Sequence, residues 1–266
     1  MTDAGKARGV LRTDLGEGSF VHERHLPPEH LRPLIEHFWY VAWDLRDLPP
    51  QQQATLPHPN VHLVVEPPQA RIYGVHSGRF ECELSGQGRT FGIKFKPAGF
   101  HPFYGKALST LADQSIALAD VFGADGEAYE RDVLAAPGLT QMESLATTLL
   151  ETHWPSPDAT VDRVNTLIAS IIDDRSITTV EHVCERTGMT ARGLQRLFRE
   201  YIGVGPKWVI NRYRLHEALA QLQEGREVSW AALAQELGYF DQAHFIRDFR
   251  KLVGVAPGAY VKGLKA

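Results

Sequence analysis

A segment that occurs twice near the C-terminus constrains the fold more than any other feature of the chain. Residues 194–206 read LQRLFREYIGVGP and residues 245–257 read FIRDFRKLVGVAP. The pairs Arg196/Arg247, Phe198/Phe249, Arg199/Arg250, Gly203/Gly254, Val204/Val255 and Pro206/Pro257 are identical at an offset of 51. Upstream of each copy lies a second matched piece, VCERTGM at 183–189 and LAQELGY at 233–239, whose glycines Gly188 and Gly238 are 50 apart. The second copy therefore carries one extra residue in its turn. Such a chain must build the same small helical unit twice.

Each unit follows from local chemistry. In the first, Thr179 is placed to cap a helix to about Thr187, with Val180 and Val183 on its apolar face. Gly188 and Gly238 end the first helices, where a left-handed residue costs least. Thr190 caps the next helix, in which Leu194, Leu197, Phe198 and Tyr201 recur at helical spacing. Its other face presents Arg192, Gln195, Arg196 and Arg199. In the second unit Asp241 is the matching cap. Phe245, Phe249 and Leu252 pack inward, while Gln242, His244, Arg247 and Arg250 project outward. Gly203 and Gly254 stop both second helices, and Pro206 and Pro257 suit the first turns of those that follow. Two helices joined by a short glycine-containing turn are a helix-turn-helix.

The region from about Asp162 to Lys262 resembles the DNA-binding domain of the AraC/XylS family of bacterial transcription regulators. Its most specific part is GYFDQAHFIRDFRKLVGVAP at 238–257. The resemblance implies two helix-turn-helix units joined by a long helix, here about Lys207–Gln223. At ~1.5 Å per residue that helix is about 25 Å long, a span suited to recognition helices one duplex turn, ~34 Å, apart. The sequence departs from the family pattern at Tyr239–Phe240, where a small polar residue often precedes the cap. By alignment with the family's recognition positions, Arg192, Gln195 and Arg196 face bases in one major groove, and Gln242, Ala243, His244 and Arg247 in the next. Arginine bonds guanine O6 and N7 together, and glutamine does likewise with adenine. Arg199, Lys207 and Arg250 are expected to hold phosphates. A competing reading of Arg196 is an ion pair with Glu200, four residues on.

Charge separates the two halves. The whole chain has 28 Lys+Arg and 32 Asp+Glu, which by itself gives no hint of nucleic acid. Residues 1–174 hold 14 basic and 23 acidic side chains, whereas residues 175–266 hold 14 and 9. That asymmetry is expected when only one domain meets phosphate.

The N-terminal half reads differently. Short β-type runs at His37–Asp44, Val61–Glu66, Arg71–Val75, Arg79–Leu84 and Thr90–Lys96 are punctuated by Pro-Pro, Ser-Gly and Gly-Gln-Gly turns. Helices are expected over Leu108–Leu118, Ala128–Ala135 and Met142–His153, and Trp154–Pro157 is the best local linker. The expected fold is α+β. A small antiparallel β barrel or sandwich (about 20–103) with a helical part (104–153) forms a domain over residues 1–157. An all-α DNA-binding domain follows over 158–266, with recognition helices at about 190–201 and 241–252. The N-terminal organisation resembles family members with a cupin-like sensing or dimerising barrel.

Several residues of that barrel are candidates for a ligand. Trp39, Trp43, Tyr73 and Phe95 suit an aromatic pocket with Lys94 or a histidine as polar anchor, and filling a core is the competing use. His58, His62, His76 and His101 are dense, with Glu66 near, but His58-Pro-Asn-Val-His62 lacks alternate spacing. Structural roles are expected for them, with His58 and His62 kept as ligand candidates and no metal site. Cys82 and Cys184 fall in different expected domains, which suits a reducing cytoplasm. No phosphate loop, Gly-x-Ser-x-Gly or His-Glu-x-x-His occurs, so neither an enzyme nor a cofactor is expected. No apolar run is long enough to span a membrane, and the polar segment Met1–Gly9 is expected to fray. The resemblance implies double-stranded operator or promoter DNA as partner, RNA polymerase as a second, a small-molecule effector and a homodimer. Two alternatives stand beside it: a regulator whose N-terminal domain only dimerises, and a repair-type protein with N-terminal chemistry.

Overall fold

Alternation of apolar and polar residues builds the N-terminal half into antiparallel sheet. In the computed structural model, which describes residues 11, 19–226 and 229–264, eight strands are present. They are β1 (Ser19–His25), β2 (Ile35–Leu45), β3 (Gln51–Thr55), β4 (His62–Glu66), β5 (Gln69–Tyr73), β6 (Phe80–Leu84), β7 (Gly86–Phe95) and β8 (Ser115–Ile116). Six form one sheet in the order β1-β2-β7-β4-β5-β8, and β3 pairs with β6 in a separate ribbon. The five expected runs are all strands. The segment 1–9 lies outside the described residues.

One sheet face is the core. Phe38 opposes Ile93, Leu63 lies between Ile93 and Ile72, and Val65 between Phe91 and Ala70. All are 3% exposed or less. Helix α1 (His101–Tyr104) follows β7, and α2 (Ala119–Ala135) and α3 (Leu139–Thr152) cover the core face with Phe122, Tyr129, Val133, Met142, Ala146 and Leu150. The expected helix Ala128–Ala135 is the second half of α2, and the expected Met142–His153 matches α3 to its C-cap, His153. The helix expected over Leu108–Leu118 does not form: Leu108–Thr110 is one 3-10 turn and Ser115–Ile116 is strand β8. Asp113 takes a φ of 57°, which breaks a right-handed helix. Arg71 on β5 then donates to Ser115 Oγ (2.7 Å) and to its carbonyl (2.9 Å), drawing the segment onto the sheet edge.

The segment 154–157 carries no helix or strand, but it is packed. Trp154 meets Phe103 edge-on with ring centroids 6.0 Å apart. Asp158 then caps α4 (Ala159–Asp173) by accepting from the Thr160 amide at 2.7 Å. There follow α5 (Val180–Thr187), α6 (Ala191–Tyr201), α7 (Pro206–Gln223), α8 (Trp230–Glu236), α9 (Gln242–Val253) and α10 (Pro257–Leu264). None of the described helices is long and apolar enough to cross a membrane.

The two helical units are anchored unequally. Val183, Leu194, Phe198, Ile202 and the first half of α7 (Val209, Ile210, Tyr213) belong to the same buried core as the sheet. The second half of α7 (Leu215, Leu219, Leu222) packs with Leu233, Phe245, Phe249 and Tyr260 in a core of their own, which Leu11 and Leu56 join. Between the cores Arg212, 2% exposed, lies 4.3 Å from the Trp208 ring centroid. It donates to the Ser77 carbonyl (2.6 Å) and the Gly78 carbonyl (3.3 Å) in the β5–β6 loop. From the same loop Arg79 donates to the Val253 carbonyl at 2.9 Å, at the end of α9.

Candidate nucleic-acid interface

The caps read from the sequence form as hydrogen bonds. Thr179 accepts from the His182 amide at 3.3 Å, Thr190 from Gly193 at 3.1 Å, and Asp241 from His244 at 2.7 Å. Gly188 and Gly254 close α5 and α9 at φ 68° and 95°. With its ends fixed, each second helix turns one stripe inward: Leu194 and Phe198 on α6, and Phe245, Phe249 and Val253 on α9.

The opposite stripes are basic. Arg192, Arg196 and Arg199 on α6 are exposed, as are Gln242, Ala243, Arg247 and Arg250 on α9 and Lys207 at the start of α7. Among the described residues none of these arginines has a side-chain partner. Glu200 instead lies 3.2 Å from His101 Nε2, so the alternative pairing of Arg196 is not formed. Two candidates are less free. Gln195 is half-buried, its amide lying over Gly205 so closely that a Cβ there would come within 2.9 Å of it. His244 is half-buried, edge-on to Tyr239 at 5.2 Å and 3.7 Å from Asp248.

The ligand candidates separate into groups. Trp39, His62 and Lys94 come together on the sheet face opposite the core. His37 and His62 flank Lys94 in register, and Arg24 opposes Trp39. Trp39 meets His62 at 6.2 Å and lies over Gly92, where a Cβ would be 2.1 Å from its ring. Its buried Nε1 has no hydrogen-bond partner among the described residues. Trp43 is elsewhere, packed with Leu45 and Leu84 and donating to the Ser85 carbonyl at 3.1 Å. Tyr73 on β5 stands opposite His62 in register, at the outer edge of the group, and is 42% exposed. His58 stacks on His216 of α7 at 3.9 Å, and Phe95 is buried in the core on the other sheet face. The pocket expected from all these residues is thus not one site. His76 lies 3.5 Å from Asp113.

Sequence reasoning missed Glu36, Arg24 and Asn60. Lys94 Nζ donates to Glu36 Oε1 at 2.8 Å, Asn60 Nδ2 to Glu36 Oε2 at 3.1 Å, and Arg24 Nε to His37 Nε2 at 3.1 Å. A Glu-His pair opening a strand was the available signal for Glu36. Burial opposes ionisation of Glu36, but the Lys94 ammonium and the His37 hydrogen bond outweigh it and hold the carboxyl well below its usual range. Burial, reinforced by Lys94, pushes His62 down to about 3, and burial lowers His37 too.

A pH dependence follows. Burial disfavours the charged form of both histidines in the fold, while the unfolded chain protonates them below about pH 6.5. Stability is therefore full above that pH and is lost as pH falls toward about 3. Glu36 adds its loss only below about pH 4.3. Urea unfolding between pH 7 and 5 should show a fall to which His62 contributes up to about 1.4 kcal/mol per pH unit. His62→Gln should flatten it, and an unchanged slope would mean this imidazole titrates as freely as in the unfolded chain.

Residues 183–263 match a family described as a helix-turn-helix domain, and residues 23–117 one described as a domain of unknown function. The chain is similar to an uncharacterized HTH-type transcriptional regulator of Haemophilus influenzae, 30% identical over 103 residues, 38% of this chain and 34% of that protein. Similarity to the HTH-type transcriptional activator RhaS of Pectobacterium carotovorum is 33% over 75 residues, 28% of this chain and 26% of RhaS. A putative AraC-like transcription regulator of Streptomyces lividans is 29% identical over 84 residues, 32% of this chain and 27% of that protein. The chain thus spans about a third or less of these relatives. Among solved structures it is similar to ToxT from Vibrio cholerae, at 12% identity and a TM-score of 0.38, over 93% of this chain and 100% of ToxT.

Proposed function

We propose that this chain, whose C-terminal domain is a helix-turn-helix domain of the AraC type, is a sequence-specific DNA-binding transcription regulator. The observation that carries the reading is the matched pair of exposed arginine stripes on α6 and α9, each on a capped helix and neither neutralised among the described residues. Arg192, Arg196 and Gln195 read bases in one major groove, and Gln242, Ala243, His244 and Arg247 in the next. Arg199, Lys207 and Arg250 hold phosphates. We place the boundary between this domain and the sheet domain at residues 157/158, after the segment 154–157 that carries no helix or strand.

Base readers and phosphate holders differ in what their loss does. Arg196→Ala should lose about 1–3 kcal/mol at one base pair and flatten the preference there, whereas Arg250→Ala should weaken all sequences alike. Binding across a randomised operator library measures both. A uniform loss for Arg196→Ala would reduce it to a backbone contact.

The group around Trp39, Lys94 and His62 is assigned to a small-molecule effector. Its support is the unpartnered Trp39 Nε1 beside a charged pair on the sheet face away from the core. Such a ligand acts by binding one placement of the DNA-binding units more tightly than another.

A further inference from the structure

The residue that lengthens the second turn has no role in the reading above. Gly188 and Gly238 both take left-handed backbone, at φ 68° and 77°. After each, one side chain turns inward. Met189 packs against the first core, and Tyr239 meets His244 at 5.2 Å and Phe245 at 5.4 Å. The caps Thr190 and Asp241 are equivalent. Phe240 is therefore the inserted residue, with no counterpart in the first unit, and it is 93% exposed. Among the described residues no other exposed large apolar side chain exceeds 45%.

A lone exposed apolar side chain ordinarily needs no explanation; the position of this one supplies a use. Phe240 is held between the inward anchor Tyr239 and the helix cap Asp241, two residues before Gln242. The N-terminal residues of a recognition helix are those that reach base edges. A phenyl ring has no N–H, O–H or lone pair with which to read a base edge, and the apolar group on a major-groove base edge is the thymine 5-methyl.

We propose that Phe240 is a specificity-determining residue that lays its ring against the 5-methyl group of a thymine in the half-site read by α9. This rests on the DNA-binding reading of α9. The first unit has no such side chain in its turn, so this thymine preference belongs to one half-site and makes the operator asymmetric.

The test begins by selecting a binding site from randomised duplex DNA with the full-length protein. Wild type, Phe240→Ala, Phe240→Leu and Arg247→Ala are then titrated against that duplex. Each thymine of the α9 half-site is replaced in turn by deoxyuridine, which removes only the methyl group. Wild type should lose roughly fourfold in affinity at one thymine. Phe240→Ala should show a similar loss on the thymine duplex and no response to deoxyuridine, and Phe240→Leu should keep part of the response. The ring packs on little, so circular dichroism should be unchanged in both variants. If Phe240→Ala binds and discriminates like wild type while Arg247→Ala weakens binding, the assignment of Phe240 is overturned and that of α9 stands. An equal loss on selected and random duplex also overturns it. If no site is selected, or if Arg247→Ala binds the selected duplex as wild type does, the DNA-binding reading of α9 itself falls.

Discussion

Phe249→Ala is expected to remove about 3–5 kcal/mol of stability and specific DNA binding with it. Phe249 is fully buried in the second core, 5.7 Å from Phe245 and 5.9 Å from Tyr260 between ring centroids. The cavity left would lie beneath the exposed arginines of α9, which then lose their common platform. Its repeat partner Phe198 is as deeply buried but belongs to the core shared with the sheet. The two alanine variants should therefore unfold differently. Phe198→Ala should lower a single transition seen by all probes, whereas Phe249→Ala should separate an early loss of the second unit from the rest. Urea unfolding followed by far-UV dichroism and tryptophan fluorescence distinguishes them. A loss below about 1 kcal/mol for Phe249→Ala would contradict the packing of α9.

Arg212→Ala is expected to cost about 1.5–3 kcal/mol, the scale of hydrogen bonds made by a charged donor. Burial pulls the guanidinium down to about 10, still charged near neutral pH. The Gly78 carbonyl would lose its donor, while Ser77 keeps the Trp208 indole N–H at 3.2 Å. Arg212→Lys should recover little, because an ammonium cannot stack on Trp208 while reaching both carbonyls. Arg212→Met keeps most of the packing and should fall between wild type and alanine. Equal stability of the alanine variant and wild type in urea would show that the loop is not fastened to α7.

The legible parts of this fold are those whose signal is local. Caps, stop glycines and apolar stripes located α5, α6, α8 and α9 because each feature acts within a few residues of its own helix. The five strands that alternate clearly were legible for the same reason. Strands β1 and β3 were not: SFVHERH and QQQAT have little apolar alternation, and their pairing partners supply the order. Ser115–Ile116 was misread because its fate depends on Arg71, 44 residues away. At the candidate interface the arginines were legible as a repeated pattern, but the turn of Gln195 toward Gly205 was not, since it depends on where the next helix starts. Contacts made through the Ser77, Gly78 and Val253 carbonyls leave no trace in residue type, because every residue has a carbonyl.

The unequal anchoring of the two units makes the molecule a caliper. Its fixed jaw is α6, which must move with the sheet because they share one interior. Its other jaw is carried on the far half of α7 and fastened at separable points that include the Arg79 and Arg212 hydrogen bonds, the His58–His216 stack and the Leu56 contact. Strain in the sheet would leave the first jaw's hold unchanged and alter the opening. Under the function proposed above, the quantity such a device would set is the distance and phase between half-sites, with the letters of each half-site left as they were.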